Sequence, residues 1–173
     1  PYEATVFGYQ NDEKTVLNLV ETVTKNFPMV HKFYKIKAKM LKLKKLKYPD
    51  RYANVGKINK KISFEESYNK LCNIFYSLDS EFGDILKRFA KNGQIDAHPR
   101  VGKRGGAFCS HTSYLPTYIF LNHSNTLESY TTFAHEMGHG IHSELSKSQP
   151  VFYQDYSIST AEVASTLFEA FVF

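Results

Sequence analysis

The chain is 173 residues long, with 42% apolar and 15% aromatic residues, 22 Lys and Arg against 17 Asp and Glu, and two cysteines. That length allows one ordinary domain or two small ones, buries a core without disulfide staples, and with this composition excludes a disordered chain. No apolar run approaches the ~18–20 residues of a membrane span, no basic-then-apolar leader opens the chain, and Cys72 and Cys109 carry no paired spacing, which excludes a cysteine-rich zinc finger and fits a reducing compartment.

Asp12 is placed to cap a helix reaching about Phe27, with Val16, Leu19, Val20 and Val23 at helical spacing. Pro28 suits the first turn of a second helix, expected to run through a lysine-rich stretch to about Lys47. Residues 29–61 hold twelve Lys and Arg against one acid, Asp50. Those lysines alternate with Phe33, Ile36, Met40, Leu43 and other apolar residues, so the stretch reads as the solvated face of an amphipathic helix. A nucleic-acid surface is set aside: Arg51 is the only arginine in the run, and arginine is the better phosphate fork. Residues 51–62 are expected to be irregular. Ser63 and Glu66 match a capping box for a helix carrying Leu71, Ile74 and Phe75 on one face. Cys72 lies in that apolar setting and reads as core rather than reactive. Asp79 caps a further helix, ended by Asn92-Gly93.

The texture changes at Gln94. Gly102, Gly105, Gly106, Pro99 and Pro116 break the segment up, and Ala107–Ser110 and Tyr118–Leu121 read as strands. Asn125 and Glu128 resemble another cap, before a helix from about Thr126 to Ser146. A loop covers 147–158, and Ser159 with Glu162 matches a capping box for a last helix, Val163–Phe173. The expected fold is mainly α with a small β-sheet (α+β). Residues 1–93 form a helical region, and 94–173 form the part that carries the chemistry.

That chemistry lies in Phe133-Ala134-His135-Glu136-Met137-Gly138-His139-Gly140. Four residues apart on a helix, His135 and His139 share a face and can reach one ion. Zinc suits imidazole nitrogen and tolerates an open fourth position. Glu136 projects beside the metal rather than onto it, where it can serve as general base to a zinc-activated water and then as acid to the leaving amine. Leu127, Tyr130, Phe133, Ala134, Met137 and Ile141 give this helix the apolar surround of a buried metal helix, and Gly138 allows close backbone packing. His142 lies about 10 Å along the helix from His135 and reads as a surface or supporting residue. Position 145 is Leu145, which disfavours the metzincin pattern with its third histidine. A glutamate on the last helix is the remaining common solution. Glu162 and Glu169 both qualify, although the capping-box role at Ser159 competes for the Glu162 carboxylate.

Three segments together resemble the thimet oligopeptidase and oligoendopeptidase F family of zinc metallopeptidases, oligoendopeptidase F most of all. They are Gly102-Lys103-Arg104-Gly105-Gly106-Ala107-Phe108-Cys109, the segment from Phe133 to Ser143, and Asp155-Tyr156-Ser157 leading to Ala161-Glu162-Val163-Ala164-Ser165-Thr166. The resemblance implies a zincin-type catalytic core within a helical surround. It implies Zn²⁺ held by His135, His139 and Glu162, with Glu136 catalytic. It also implies cleavage of short oligopeptides in the cytoplasm, with neither nucleic acid nor membrane as partner. Gly106, Ala107, Phe108 and Cys109 match a family segment near the cleft. Their backbone could pair with an extended substrate, and a plain glycine turn before a structural strand fits equally well. Cys109 then reads as a small cleft-lining side chain.

Family members are several times longer and place oxyanion-stabilising residues after the third ligand, whereas this chain begins at Pro1 without methionine and stops eleven residues after Glu162. It therefore reads as a fragment missing the C-terminal part of its catalytic domain. Tyr114, Tyr153 and Tyr156 are available hydroxyls, but no motif assigns any of them to the oxyanion. Two other readings stay open: another zincin, such as a carboxypeptidase-like enzyme, and a non-catalytic fragment that binds zinc or peptide.

Overall fold

The computed structural model describes residues 3–56 and 61–172. The chain divides into two compact units, Pro1–Asn59 and Lys60–Phe173.

The first unit holds α1 (Glu3–Gly8), α2 (Glu13–Lys25), α3 (Phe27–Met40) and a 3-10 turn, Tyr48–Tyr52. Asp12 caps α2 as expected, its carboxylate accepting the Thr15 N–H at 2.9 Å. Pro28 sits in the first turn of α3. That helix stops at Met40, seven residues short of the expected end. Lys42 turns left-handed (φ 57°), and Leu43 and Lys42 donate their N–H groups back to Ala38 and Lys39. This is a Schellman stop made without glycine, and the lysine periodicity carries no sign of it. Among the described residues of this unit only Val6 and Ala38 are buried. The apolar stripe Leu19, Val20, Val23 and the large apolar residues of α3 (Phe27, Met29, Val30, Phe33, Ile36 and Met40) are exposed. Residues 57–60 of the expected irregular stretch lie outside the described residues.

The second unit holds α4 (Phe64–Leu78), α5 (Ser80–Lys91), β1 (Ile95–Asp96), β2 (Phe108–Thr112), β3 (Leu115–Phe120), α6 (Leu127–Ser146), a 3-10 turn Val151–Tyr153 and α7 (Ile158–Ala170). Ser63 and Asp79 cap α4 and α5, accepting the N–H of Glu66 and of Glu81. Gly93, at φ 68°, ends α5 where a side chain would be strained. The sheet order is β1-β3-β2, with β1 parallel and β2 antiparallel to β3. β1 is absent from the sequence reading because two residues show no alternation. It forms because β3 offers it an edge, with Ile95 opposite Ile119. In β3 Thr117 and Ile119 alternate with exposed Pro116 and Tyr118, point inward and are buried.

One core joins these elements. Leu71 and Phe75 of α4, Leu86 and Phe89 of α5, Ile119 of β3, Phe133 and Met137 of α6 and Phe168 of α7 lie in a single buried cluster. The expected division at 93/94 therefore does not coincide with the spatial one at 59/60. Helices α4 and α5 are amphipathic, and their apolar faces close the same core as the strands. The overall class is mainly α with a small mixed sheet.

Phe133 is fully buried and stacks on Phe64 at 5.2 Å between centroids. Phe133→Ala is expected to destabilise the chain by about 3–5 kcal/mol, read as a shifted midpoint in urea unfolding.

Candidate metal centre and active-site cleft

Helix α6 presents two faces. Phe133, Ala134, Met137 and Ile141 enter the core, while His135, Glu136 and His139 turn toward β2 and α7. The cap is Thr126, whose hydroxyl accepts the Ser129 N–H at 3.1 Å. Asn125, the expected cap, instead takes a left-handed turn at φ 60°.

Helix α7 runs antiparallel to α6 and very close to it. A Cβ at Gly138 would lie 2.8 Å from the Ser165 Cα and 3.0 Å from the Ala164 carbonyl oxygen, so the two backbones meet where only glycine fits. The expected capping box does not form. Ser157, not Ser159, caps α7 by accepting the Thr160 N–H, and the helix starts at Ile158. Glu162 then lies in the second turn rather than at the cap's reciprocal position, and its carboxylate is released toward α6. The last residue of the expected helix, Phe173, lies outside the described residues.

The Glu162 Oε2 atom is 3.4 Å from His135 Nε2 and 3.8 Å from His139 Nε2. The three donor atoms lie within 4.8 Å of one another. Ligands of a tetrahedral zinc with bonds of ~2.0–2.1 Å stand about 3.3 Å apart, so spacing and donor chemistry both fit that ion. The two histidine rings are 5.0 Å apart and nearly perpendicular. Burial pushes His139 below the ordinary imidazole range, which favours the neutral ring with a free lone pair. Glu169 lies two turns beyond Glu162 and meets the other ring nitrogen of His135, Oε2 to Nδ1 at 3.1 Å.

Glu136 is buried against β2, and burial raises its carboxyl above the usual range. Glu136, His135, His139 and Glu162 line a cleft of about 440 Å³ with Ala107, Phe108, Cys109, His111, Ser143 and Tyr156. β2 is one of the two edge strands of the described sheet, and by alternation Cys109 and His111 turn inward from it. Of the four candidate substrate contacts, Ala107, Phe108 and Cys109 line this cleft. Gly106 (φ 87°) lines a neighbouring cavity of about 340 Å³ with His123 and Ser129. The glycine segment is pinned from both sides. The Lys103 side chain is almost wholly buried; it donates to the Asp96 carboxylate and to the carbonyls of Asp96 and His98, and it lies over the Phe120 ring. Asn122 Nδ2 donates to the carbonyls of Arg104 and Gly106. Arg100 and Lys103 hold the Asp96 carboxyl down at about 2.

Tyr156 and His142 form a layer that the motif does not announce. The Tyr156 ring stacks on His142 at 3.9 Å and is nearly parallel to His111 at 5.6 Å. Ser143 donates its hydroxyl hydrogen to the His139 carbonyl, so Tyr156 is the donor in its own 2.9 Å bond to Ser143 Oγ. His142 thus supports the cleft wall and stands apart from the donor cluster. Tyr114 and Tyr153 are exposed and line no part of the cleft. Long-range packing places the Tyr156 ring against His142 and His111, a contact that its local segment Asp155-Tyr156-Ser157 does not announce.

Two outcomes follow from this geometry. Gly138→Ala is expected to push α7 away, costing about 1–3 kcal/mol of stability, measurable by thermal melting. Burial first, and then the neighbouring Glu136, push the Cys109 thiol up to about 12. At pH 8 the reactive thiolate is therefore scarce, and alkylation of Cys109 by iodoacetamide should be far slower than that of a free cysteine.

The model of the family described as Peptidase family M3 matches residues 3–173. Oligopeptidase PepF of Bacillus subtilis is 34% identical over 170 residues, 97% of this chain and 25% of its own length. An oligoendopeptidase F homolog of Borreliella burgdorferi is 34% identical, covering 97% of this chain and 29% of its own. Among solved structures, a peptidase of Chlamydophila abortus aligns at a TM-score of 0.72 with 33% identity, over 94% of this chain and 28% of that one. An oligoendopeptidase F of Bacillus anthracis aligns at 0.84 with 22% identity, over 95% and 32%. The chain thus spans about a quarter to a third of the length of the proteins it matches. It belongs to peptidase family M3.

Proposed function

We propose that this chain is the metal-binding section of a zinc-dependent oligoendopeptidase that hydrolyses short peptides. His135, His139 and Glu162 are its metal ligands, and Glu136 is its general base. The observation that carries the reading is one carboxylate oxygen of α7 set against two imidazole nitrogens of α6, with a buried glutamate next to the first histidine. When bound, zinc supplies Lewis-acid polarisation of the scissile carbonyl and makes water a nucleophile near neutral pH.

The chain's own groups do the rest. Glu136 stands in the cleft without being a member of the donor cluster, so its carboxylate is free to take the proton from the attacking water and pass it to the departing amine. Its buried setting strengthens electrostatics and keeps bulk water from competing. The outer edge of β2 offers backbone N–H and C=O groups to an extended peptide beside these residues, with Ala107–Cys109 closest. A short extended peptide fits a cleft of about 440 Å³ better than a folded substrate does. Free Cys72 and Cys109 fit the reducing cytoplasm, which is part of the same proposal. No described helix is long and apolar enough to cross a membrane.

A second reading has a specific observation behind it. Since the chain spans so small a share of its relatives, it can bind zinc and peptide without completing the chemistry. Metal content and turnover of a fluorogenic peptide separate the two. The expected result is one zinc per chain, lost in Glu162→Gln and kept in Glu136→Gln. Turnover, where present, should fall about 10²–10⁴-fold in Glu136→Gln and stop with chelator. Zinc without turnover in the native chain selects the binding-only reading. Full zinc retention in Glu162→Gln, with loss in Glu169→Gln, overturns the third-ligand assignment.

A further inference from the structure

We infer that Glu169 is a positioning residue for the metal centre: it accepts the Nδ1–H of His135 and so fixes the tautomer that presents the Nε2 lone pair to the metal. The inference rests on the proposed ligand set, of which Glu169 is not a member.

The geometry is specific. Glu162 and Glu169 lie seven residues apart on α7, two turns and ~10 Å along the axis, on the face that meets α6. The His135 ring stands between them. Its Nε2 is 3.4 Å from Glu162 and its Nδ1 3.1 Å from Glu169. These nitrogens point to opposite edges of the ring, so a carboxylate that holds Nδ1 cannot share an ion with Nε2. Glu169 is thereby excluded as a fellow ligand in this arrangement and assigned a different task.

A neutral imidazole carries one N–H. With a carboxylate on Nδ1 the proton stays there, and Nε2 keeps its lone pair facing Glu162 and His139. The carboxylate also makes the ring a stronger donor, as outer partners of metal-ligating histidines commonly do. The bond has a second effect. Because α7 supplies both carboxylates, Glu169 ties the ring to the helix that carries Glu162, and the antiparallel contact at Gly138 keeps the two ends in step.

The test uses the chain itself, metal-free and zinc-loaded, with Glu169→Ala and Glu169→Gln. Long-range ¹⁵N–¹H correlation of the His135 ring in the metal-free chain should show the Nδ1–H tautomer in the native chain and in Glu169→Gln, whose amide oxygen accepts the same hydrogen. Glu169→Ala should shift the ring toward the Nε2–H form. Zinc affinity, read by competition with a chromophoric chelator, should weaken about 10–100-fold in Glu169→Ala and largely recover in Glu169→Gln. An unchanged tautomer with unchanged affinity in Glu169→Ala overturns the inference. Complete zinc loss in both Glu169 variants also overturns it, because a ligand would behave that way. If Glu162→Gln keeps its zinc, the ligand set fails instead, and the metal-free tautomer still decides the role of Glu169.

Discussion

The candidate site depends on a single close approach, the antiparallel contact of α6 and α7 at Gly138. A backbone carbonyl and a Cα of α7 come so near that any side chain at this position would collide with them. That proximity lets one carboxylate of α7 reach two imidazoles presented one turn apart by α6. Short side chains cannot span a wider gap, so the separation of the helices sets the donor spacing. The core enforces the separation from the other side, since Phe133, Met137 and Phe168 belong to one buried cluster with α4, α5 and β3. The three candidate donors are held by packing rather than by one another, as a site must be if it is to receive an ion without rearranging.

Local competition is resolved in the same direction. Two serines near the start of α7 could cap it, and the choice decides what Glu162 does. With Ser157 as the cap, Glu162 is not drawn into the reciprocal bond of a capping box, and its carboxylate turns to Ser165 and the histidines. A cap is worth about 1 kcal/mol, little compared with the packing that sets where the helix begins. Around the cluster, burial acts on each group according to its charge. It disfavours protonated His139 and ionised Glu136 alike.

The first unit shows the reverse situation. Its helices are where capping and proline chemistry place them, yet almost none of their apolar surface is covered. Leu19, Val20, Val23, Phe33 and Met40 have the spacing of a core face and are exposed. Periodicity reports that a face is apolar, not that anything lies against it. The end of α3 carries a related lesson. A lysine in the left-handed region stops the helix, and lysine is not a residue whose presence announces such a turn.

The amino-acid sequence by itself determined the local chemistry: Asp12, Ser63 and Asp79 as caps, Gly93 as a stop, and the histidine pair with its neighbouring glutamate on a helix. Each depends on residues within one or two turns, where side-chain type and spacing decide geometry. It also narrowed the third donor to Glu162 or Glu169. Only the tertiary structure assigned the two carboxylates to opposite edges of one ring, brought Tyr156 and His111 to the cleft, paired β1 with β3, and merged α4 and α5 into the core of the second unit. Those relations join residues far apart in the chain. They follow from which apolar faces close together, and a local pattern carries no record of its distant partner.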